Sequence, residues 1–88
     1  MPSSDLTARM YFDQGQTAFT RGDFAGAEEY LKKAVEKDPQ YHEAHRFLAE
    51  SYEKQGFAHR AKRAWERLHR ITRDTSEQAE IKKRIDAL

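Results

Sequence analysis

Cysteine is absent from this chain of 88 residues, which excludes disulfide staples, thiolate metal sites and a cysteine nucleophile, and leaves the redox compartment open. Asparagine is absent too. No apolar run approaches the ~18–20 residues that cross a bilayer. Hydrophobic residues make up 38% of the chain and its mean hydropathy is −1.05, too polar for a membrane protein. The start, Met-Pro-Ser-Ser-Asp, lacks the basic segment followed by an apolar one that marks a secretory signal, so a cytoplasmic address is the default expectation. Only four glycines and two prolines interrupt the chain, and aromatics reach 11%, a composition that argues against a disordered tail. A single small domain over residues 1–88 is what this length allows, with a thin core.

Sixteen Lys and Arg oppose fifteen Asp and Glu, a net charge of +1 that predicts no bulk attraction to nucleic acid. The distribution is uneven. Residues 22–53 carry a balance of −4, whereas residues 57–73 carry six bases against Glu66 alone, a balance of +5. The molecule is expected to be electrically two-faced.

Shifted by thirty-four residues, the sequence lands on itself. Gly15 meets Ala49, Gly22 meets Gly56, Ala27 meets Ala61, Leu31 meets Trp65 and Ala34 meets Leu68. Small residues, large apolar residues and a turn glycine recur together, as in a packing unit. Each unit reads as two helices. The first spans about Asp5 to Arg21, with Ser4 or Asp5 as its cap, and Gly22 ends it. Asp23 caps a second helix over about Phe24–Lys37, and Pro39 opens a third over about Gln40–Gln55. Gly56 separates that helix from a fourth, about Ala58–Thr72. A fifth follows a Thr75/Ser76 cap and runs to the C-terminus. No stretch alternates with period two, so no strand is predicted.

These residues resemble the tetratricopeptide repeat. Ala8 to Tyr41 carries Tyr11, Gly15, Gly22-Asp23-Phe24, Ala27, Leu31, Ala34 and Asp38-Pro39; His42 to about Thr75 carries Leu48-Ala49, Tyr52, Gly56, Ala61, Trp65 and Leu68. The second unit departs from the family pattern at His45, at Leu68 and at Arg73, where the proline is missing. The resemblance implies an all-α fold, a right-handed α–α superhelix of two helix hairpins (about 8–41 and 42–75) with a capping helix over about 76–88. Trp65 is expected in the core, and Gly15, Ala27, Ala49 and Ala61 are expected where helices approach closely.

The stripe Ala44, Leu48 and Ser51 should pack back onto the first unit. Its counterpart Met10, Gln14 and Thr17, followed by Arg21, reads as having nothing upstream to cover. The fifth helix puts Ile81, Ile85 and Leu88 on one side, but Lys82, Lys83 and Asp86 stand where the repeat would have its anchors. It is therefore read as a solvating cap that completes a short array. Two units plus a cap fall short of the usual three, so self-association into a homo-oligomer is a further expectation.

In proteins resembling this family, the first helices of the pairs line a concave face that binds an extended or helical segment of another protein. Carried over, that face takes Arg9, Phe12, Asp13, Gln16, Phe19 and Thr20 from the first helix. It takes Glu43, Arg46, Phe47, Glu50 and Lys54 from the third, with Glu77, Ile81 and Arg84 closing the end. Phe12 and Phe47 occupy no core position of the repeat, so both rings are expected to stand exposed as binding anchors; the alternative is that they fold inward against Ile81 or each other. The family's best-known variant holds a chaperone peptide's C-terminal carboxylate with Lys, Arg and Asn side chains. That reading fails here, because the chain has no asparagine and Asp13 and Glu50 would repel a carboxylate. Mixed charge suits a partner with apolar residues and some positive charge.

A second candidate is the basic fourth helix, where Arg60, Arg63, Arg67 and Arg70 recur at i, i+3, i+7 and i+10. They could meet an anionic surface, whether nucleic acid, acidic lipid or acidic protein, or simply form a solvated outer face. No aromatic interleaves them, which weighs against nucleic acid. Catalysis finds little support. His42-Glu43-Ala44-His45 lacks the metalloprotease spacing and a third ligand, and His45 sits at a packing position. Gly22-Asp23 and Gly56 are helix stops, not a phosphate cradle. No cofactor or metal is expected, and the chain is read as a non-enzymatic interaction module, a scaffold or adaptor.

Overall fold

A computed structural model describes residues 3–88; Met1 and Pro2, and the reading that rests on them, lie outside the described residues. Five helices and no strand follow one another among them: α1 (Leu6–Thr20), α2 (Phe24–Lys37), α3 (His42–Lys54), α4 (Ala58–Ile71) and α5 (Thr75–Asp86). Each packs against its neighbour in sequence, and α1 also touches α3, so α1/α2 and α3/α4 form hairpins laid side by side with α5 against α4.

The same device turns the chain inside both hairpins. Gly22 has φ +82° and Gly56 has φ +80°, the left-handed conformation that a side chain resists. At the first turn Gly22 N–H donates to the Phe19 carbonyl (3.0 Å) and Asp23 N–H to the Ala18 carbonyl (2.9 Å). At the second, Gly56 N–H donates to Glu53 (3.0 Å) and Phe57 N–H to Tyr52 (2.9 Å). This double closure satisfies the last carbonyls of α1 and α3. The starts of α1 and α2 rest on aspartates: Asp5 accepts from Ala8 N–H and Asp23 from Gly26 N–H, whereas α3 and α4 have no side-chain cap.

Two helix starts differ from the sequence reading. The third helix begins at His42 rather than about Gln40, because Asp38 closes a turn first. Its carbonyl accepts from Tyr41 N–H (3.1 Å) and its carboxylate from Gln40 N–H (3.0 Å), which leaves Pro39 in the turn instead of at the helix opening. The fifth helix is capped by Asp74, not Thr75 or Ser76; its carboxylate accepts from both Ser76 and Glu77 N–H, so Thr75 is already helical. That helix ends at Asp86.

The core has two parts. Ala8, Phe12, Leu31, Ala34, Tyr41, Ala44 and Leu48 join α1, α2 and α3, while Ala49, Ala61, Ala64, Trp65, Leu68 and Ile81 join α3, α4 and α5; half-buried Tyr52 packs against both. Trp65 is fully buried. Its Nε1–H donates to the Glu53 carboxylate, and the Arg84 and Arg46 guanidinium groups lie over its ring at 4.9 and 5.6 Å. Ala44, Leu48 and Ser51 are buried as expected, whereas Met10, Gln14, Thr17 and Arg21 face solvent. Leu6 (70% exposed) and Met10 (63% exposed) leave an apolar patch uncovered at the start of α1, while the rest of that edge, Gln14, Thr17 and Arg21, is polar.

Helix α5 docks through Ile81 and through charge. Arg46 of α3 reaches Glu77 at 2.9 Å and Glu80 at 3.0 Å, and Arg84 approaches Glu53 at 3.8 Å. The Thr72 hydroxyl, donating to Glu77, holds that carboxyl below its ordinary value of 4.5; Arg46 helps and burial opposes. On the inner side of α3, His45 is buried. Its Nε2 lies 2.8 Å from the Pro39 carbonyl, which can only accept, so Nε2 carries the proton and Nδ1 is bare. Among the described residues nothing hydrogen-bonds Nδ1.

Close approach is most severe at Gly15. A Cβ built there would stand 2.7 Å from Leu31 Cγ and 2.9 Å from Leu31 Cδ2, and Leu31 is itself fully buried. Gly15→Ala should therefore destabilise by about 1–3 kcal/mol through overpacking. On helix propensity alone it would stabilise by about 1 kcal/mol. Urea unfolding reads the sign, and a more stable variant would show that Leu31 yields without strain.

Burial, and then the Arg67 and His42 charges, lower the His45 pKa below its ordinary 6.5, against the Pro39 hydrogen bond and Asp38. The unfolded chain therefore binds that proton more readily. The contribution to stability is complete above pH 6.5 and is lost as pH falls below it. His45→Gln, whose amide can still donate to Pro39, should flatten the fall in Tm between about pH 7 and pH 5. An unchanged profile would show that His45 does not govern it.

Candidate functional site

The concave candidates come from α1 and α3, whose facing sides meet along a narrow seam. Arg9, Asp13, Gln16 and Thr20 of α1 and Lys54 of α3 are exposed, while Phe19, Glu43, Arg46, Phe47 and Glu50 are half-buried. Phe12 is not a free anchor: it is 9% exposed. It packs on Tyr41 with ring centroids 5.0 Å apart and meets Phe47 edge-on at 5.7 Å. Phe47 in turn stands edge-on to Phe19 at 5.3 Å, and Phe19 to Phe24 at 5.1 Å.

The expectation that both rings stand exposed in the trough is thus corrected. They fold against each other, not against Ile81, because adjacent first helices bring them within reach. An edge-to-face pair with its area buried is more stable than two hydrated rings. What results is a five-ring ladder from Tyr41 to Phe24 that fastens α1 to α3. Phe47 retains an open side, which forms one wall of a hollow of about 350 Å³ with Gln16, Thr17, Thr20 and Arg21. Arg46 is also withdrawn from the trough, since it pairs with Glu77 and Glu80 of α5.

Next along the trough, Glu50, Glu53, Lys54 and Arg84 line a second hollow of about 440 Å³. Lys54 Nζ lies 6.0 Å from the Phe24 ring centroid, and Glu53 is engaged by Trp65 and Arg84. Sequence reasoning missed a larger hollow, a cleft of about 900 Å³ where the α2–α3 turn faces the α4–α5 turn. Tyr41, His42, Glu43 and Arg73 line it together with Asp38, Asp74 and Glu77. Burial, with the charges of Glu43 and Asp13 adding to it, raises the Tyr41 pKa above 10.0. Three carboxylates of the cleft serve the fold: Asp38 accepts from the Ser3 hydroxyl, Asp74 caps α5 and Glu77 accepts from Thr72. The sequence reading placed the fifth helix's cap at Thr75/Ser76 rather than Asp74, and gave no sign that the two turns lie across from each other.

On the outer side, Arg60, Arg63, Arg67 and Arg70 are all exposed, and none makes an ion pair among the described residues. Arg60 lies 4.8 Å from the centroid of Phe57, itself 39% exposed. His42 and His45 do not act together: His42 Nδ1 is 3.2 Å from the Gln40 carbonyl, while His45 is held at Pro39. No helix among the described residues is long and apolar enough to cross a membrane.

The tetratricopeptide repeat family model matches residues 18–85, from the end of α1 to the last turn of α5. A search of curated proteins finds no match to the chain. Two hairpins closed by Gly22 and Gly56, with small residues at the helix crossings and most of the length matched, make one conclusion plain: this chain belongs to the tetratricopeptide repeat family, whose members are generally protein–protein interaction modules.

Proposed function

We propose that this protein is a non-enzymatic adaptor or scaffold that holds a peptide or helix of a partner protein in the trough between α1 and α3. On this reading residues 8–41 and 42–75 are its two repeats and 76–88 its cap. The observation that carries the proposal is the open side of Phe47. Tyr41 at the end of the seam ladder faces the cleft between the turns, whereas Phe47 lines a hollow in the trough itself, where Gln16, Thr17, Thr20 and Arg21 surround it with polar side chains able to fix a bound backbone. An apolar side chain of the partner would enter beside Phe47 and complete the ladder, gaining both burial and an edge contact. Exposed Asp13 nearby favours a positively charged residue next to that anchor.

The hollow is shallow, and Phe47 also supports the fold, so the decisive variant fills the space without touching the ladder. Gln16→Arg with Thr20→Arg, both at exposed positions, should lower the affinity for peptides selected from a displayed random library by about tenfold or more. Far-UV circular dichroism and Tm should hold. Undiminished binding, measured by isothermal titration calorimetry, would move the site away from the trough.

A further inference from the structure

We propose a second docking surface, separate from the trough: the arginine track on the outside of α4 binds an acidic segment of a partner protein. The track consists of Arg60, Arg63, Arg67 and Arg70, all exposed on one side of a single unbroken helix. The offsets 3, 4 and 3 confine them to a strip about 80° wide, at ~100° per residue, and about 15 Å long. Behind the strip Ala61, Ala64, Trp65 and Leu68 are buried, so the helix that carries the charges is rigidly backed. None of the four has a carboxylate within ion-pair distance among the described residues. Glu66, the single acid on residues 57–73, is half-buried and lines a hollow on the α5 side with His69, Arg70, Lys82 and Asp86. The far end of the track at Arg70 is therefore the part with acids nearby, while neither acid forms an ion pair with it among the described residues.

Shape and chemistry choose the occupant. The charges form a line, whereas a bilayer is best met by a plane. No ring interleaves the arginines, and Phe57 at the head of the track is taken by Arg60 at 4.8 Å, so successive bases of a single strand find no stacking platform. A guanidinium fork matches a carboxylate in a bidentate pair. Glutamates at i, i+3, i+7 and i+10 of a partner helix rise by the same increments as the arginines, so the pairs stay in step along the whole strip. At physiological salt the screening length is ~8 Å, so the track acts by its local charge and not by the net +1 of the chain.

The test uses the full chain and an alanine-rich helical peptide with glutamates at those four offsets, followed by fluorescence anisotropy, with a glutamine counterpart as control. The glutamate peptide should bind, the glutamine one should not, and affinity should fall steeply between about 50 and about 300 mM salt. Arg63→Glu with Arg67→Glu should weaken binding about tenfold or more, Arg63→Gln with Arg67→Gln less so, both with unchanged circular dichroism. The trough variant Gln16→Arg with Thr20→Arg should bind the peptide as well as the parent, which separates failure here from failure of the trough. Four results would overturn the proposal: equal binding of the two peptides; indifference to the arginine changes; tighter capture of oligouridine or phosphatidylserine vesicles than of the peptide; or self-association of the protein that the same arginine changes abolish, which would make a second copy the occupant.

Discussion

Leu31 lies so near the backbone of α1 that only glycine fits between them, and much else in the molecule depends on that contact. A Cβ on Gly15 would stand 2.7 Å from Leu31 Cγ, so the separation of α1 and α2 is set at its lower limit. With Leu31 drawn in, α2 offers α3 a surface on which Ala44, Leu48 and Ser51 can lie flat and fully buried. The second hairpin solves the same problem with the opposite apportionment: Ala49 takes the glycine's place and the larger Trp65 takes the leucine's, and both are fully buried. A bulkier filler opposite a slightly larger floor keeps the density that protein interiors require. Tyr52, packed against both clusters, couples the two solutions into one body.

Placing α3 this way has a direct consequence for the trough. It brings the first helices near enough for Phe12 and Phe47 to meet, and rings that can meet edge-on will not remain in water. The seam is therefore stiff. The open space along the trough includes the shallow hollow beside Phe47 and a second one along α3 toward Arg84. The surface that results is backed by packed rings and lined by mixed charge.

Much of this was legible in the sequence. The thirty-four-residue echo gave the two hairpins, and Gly22, Gly56, Asp5 and Asp23 marked helix ends that the structure closes with those same residues. The start of α3 was misjudged because Asp38 can serve as turn-former as well as helix terminus, and only the Tyr41 N–H contact reveals which role prevails. Phe12 was misjudged for a deeper reason. Periodicity tells which side of a helix a ring occupies, but not how far away the neighbouring helix lies. Arg46 and Glu77 stand thirty-one residues apart, and the bare Nδ1 of His45 depends on what α3 is packed against; neither leaves a local signature.

Docking of α5 determines what each side of the molecule has left to offer. The helix is fastened by bases on the concave side, Arg46 and Arg84, to Glu77, Glu80 and Glu53, so opposite charges there are largely matched to one another. The same packing lays Ile81 against Trp65 and Leu68, which turns the remaining side of α4 outward with its arginines; Asp86 of α5 shares a hollow with Arg70 but makes no ion pair with it among the described residues. The uneven charge first visible as −4 and +5 along the chain thus becomes a spatial division. On the inner face Arg46 and Arg84 are matched to acids of α3 and α5, with Asp13 left exposed, while the arginines of the outer helix have no ion-pair partner among the described residues, the asymmetry on which the two proposed docking surfaces rest.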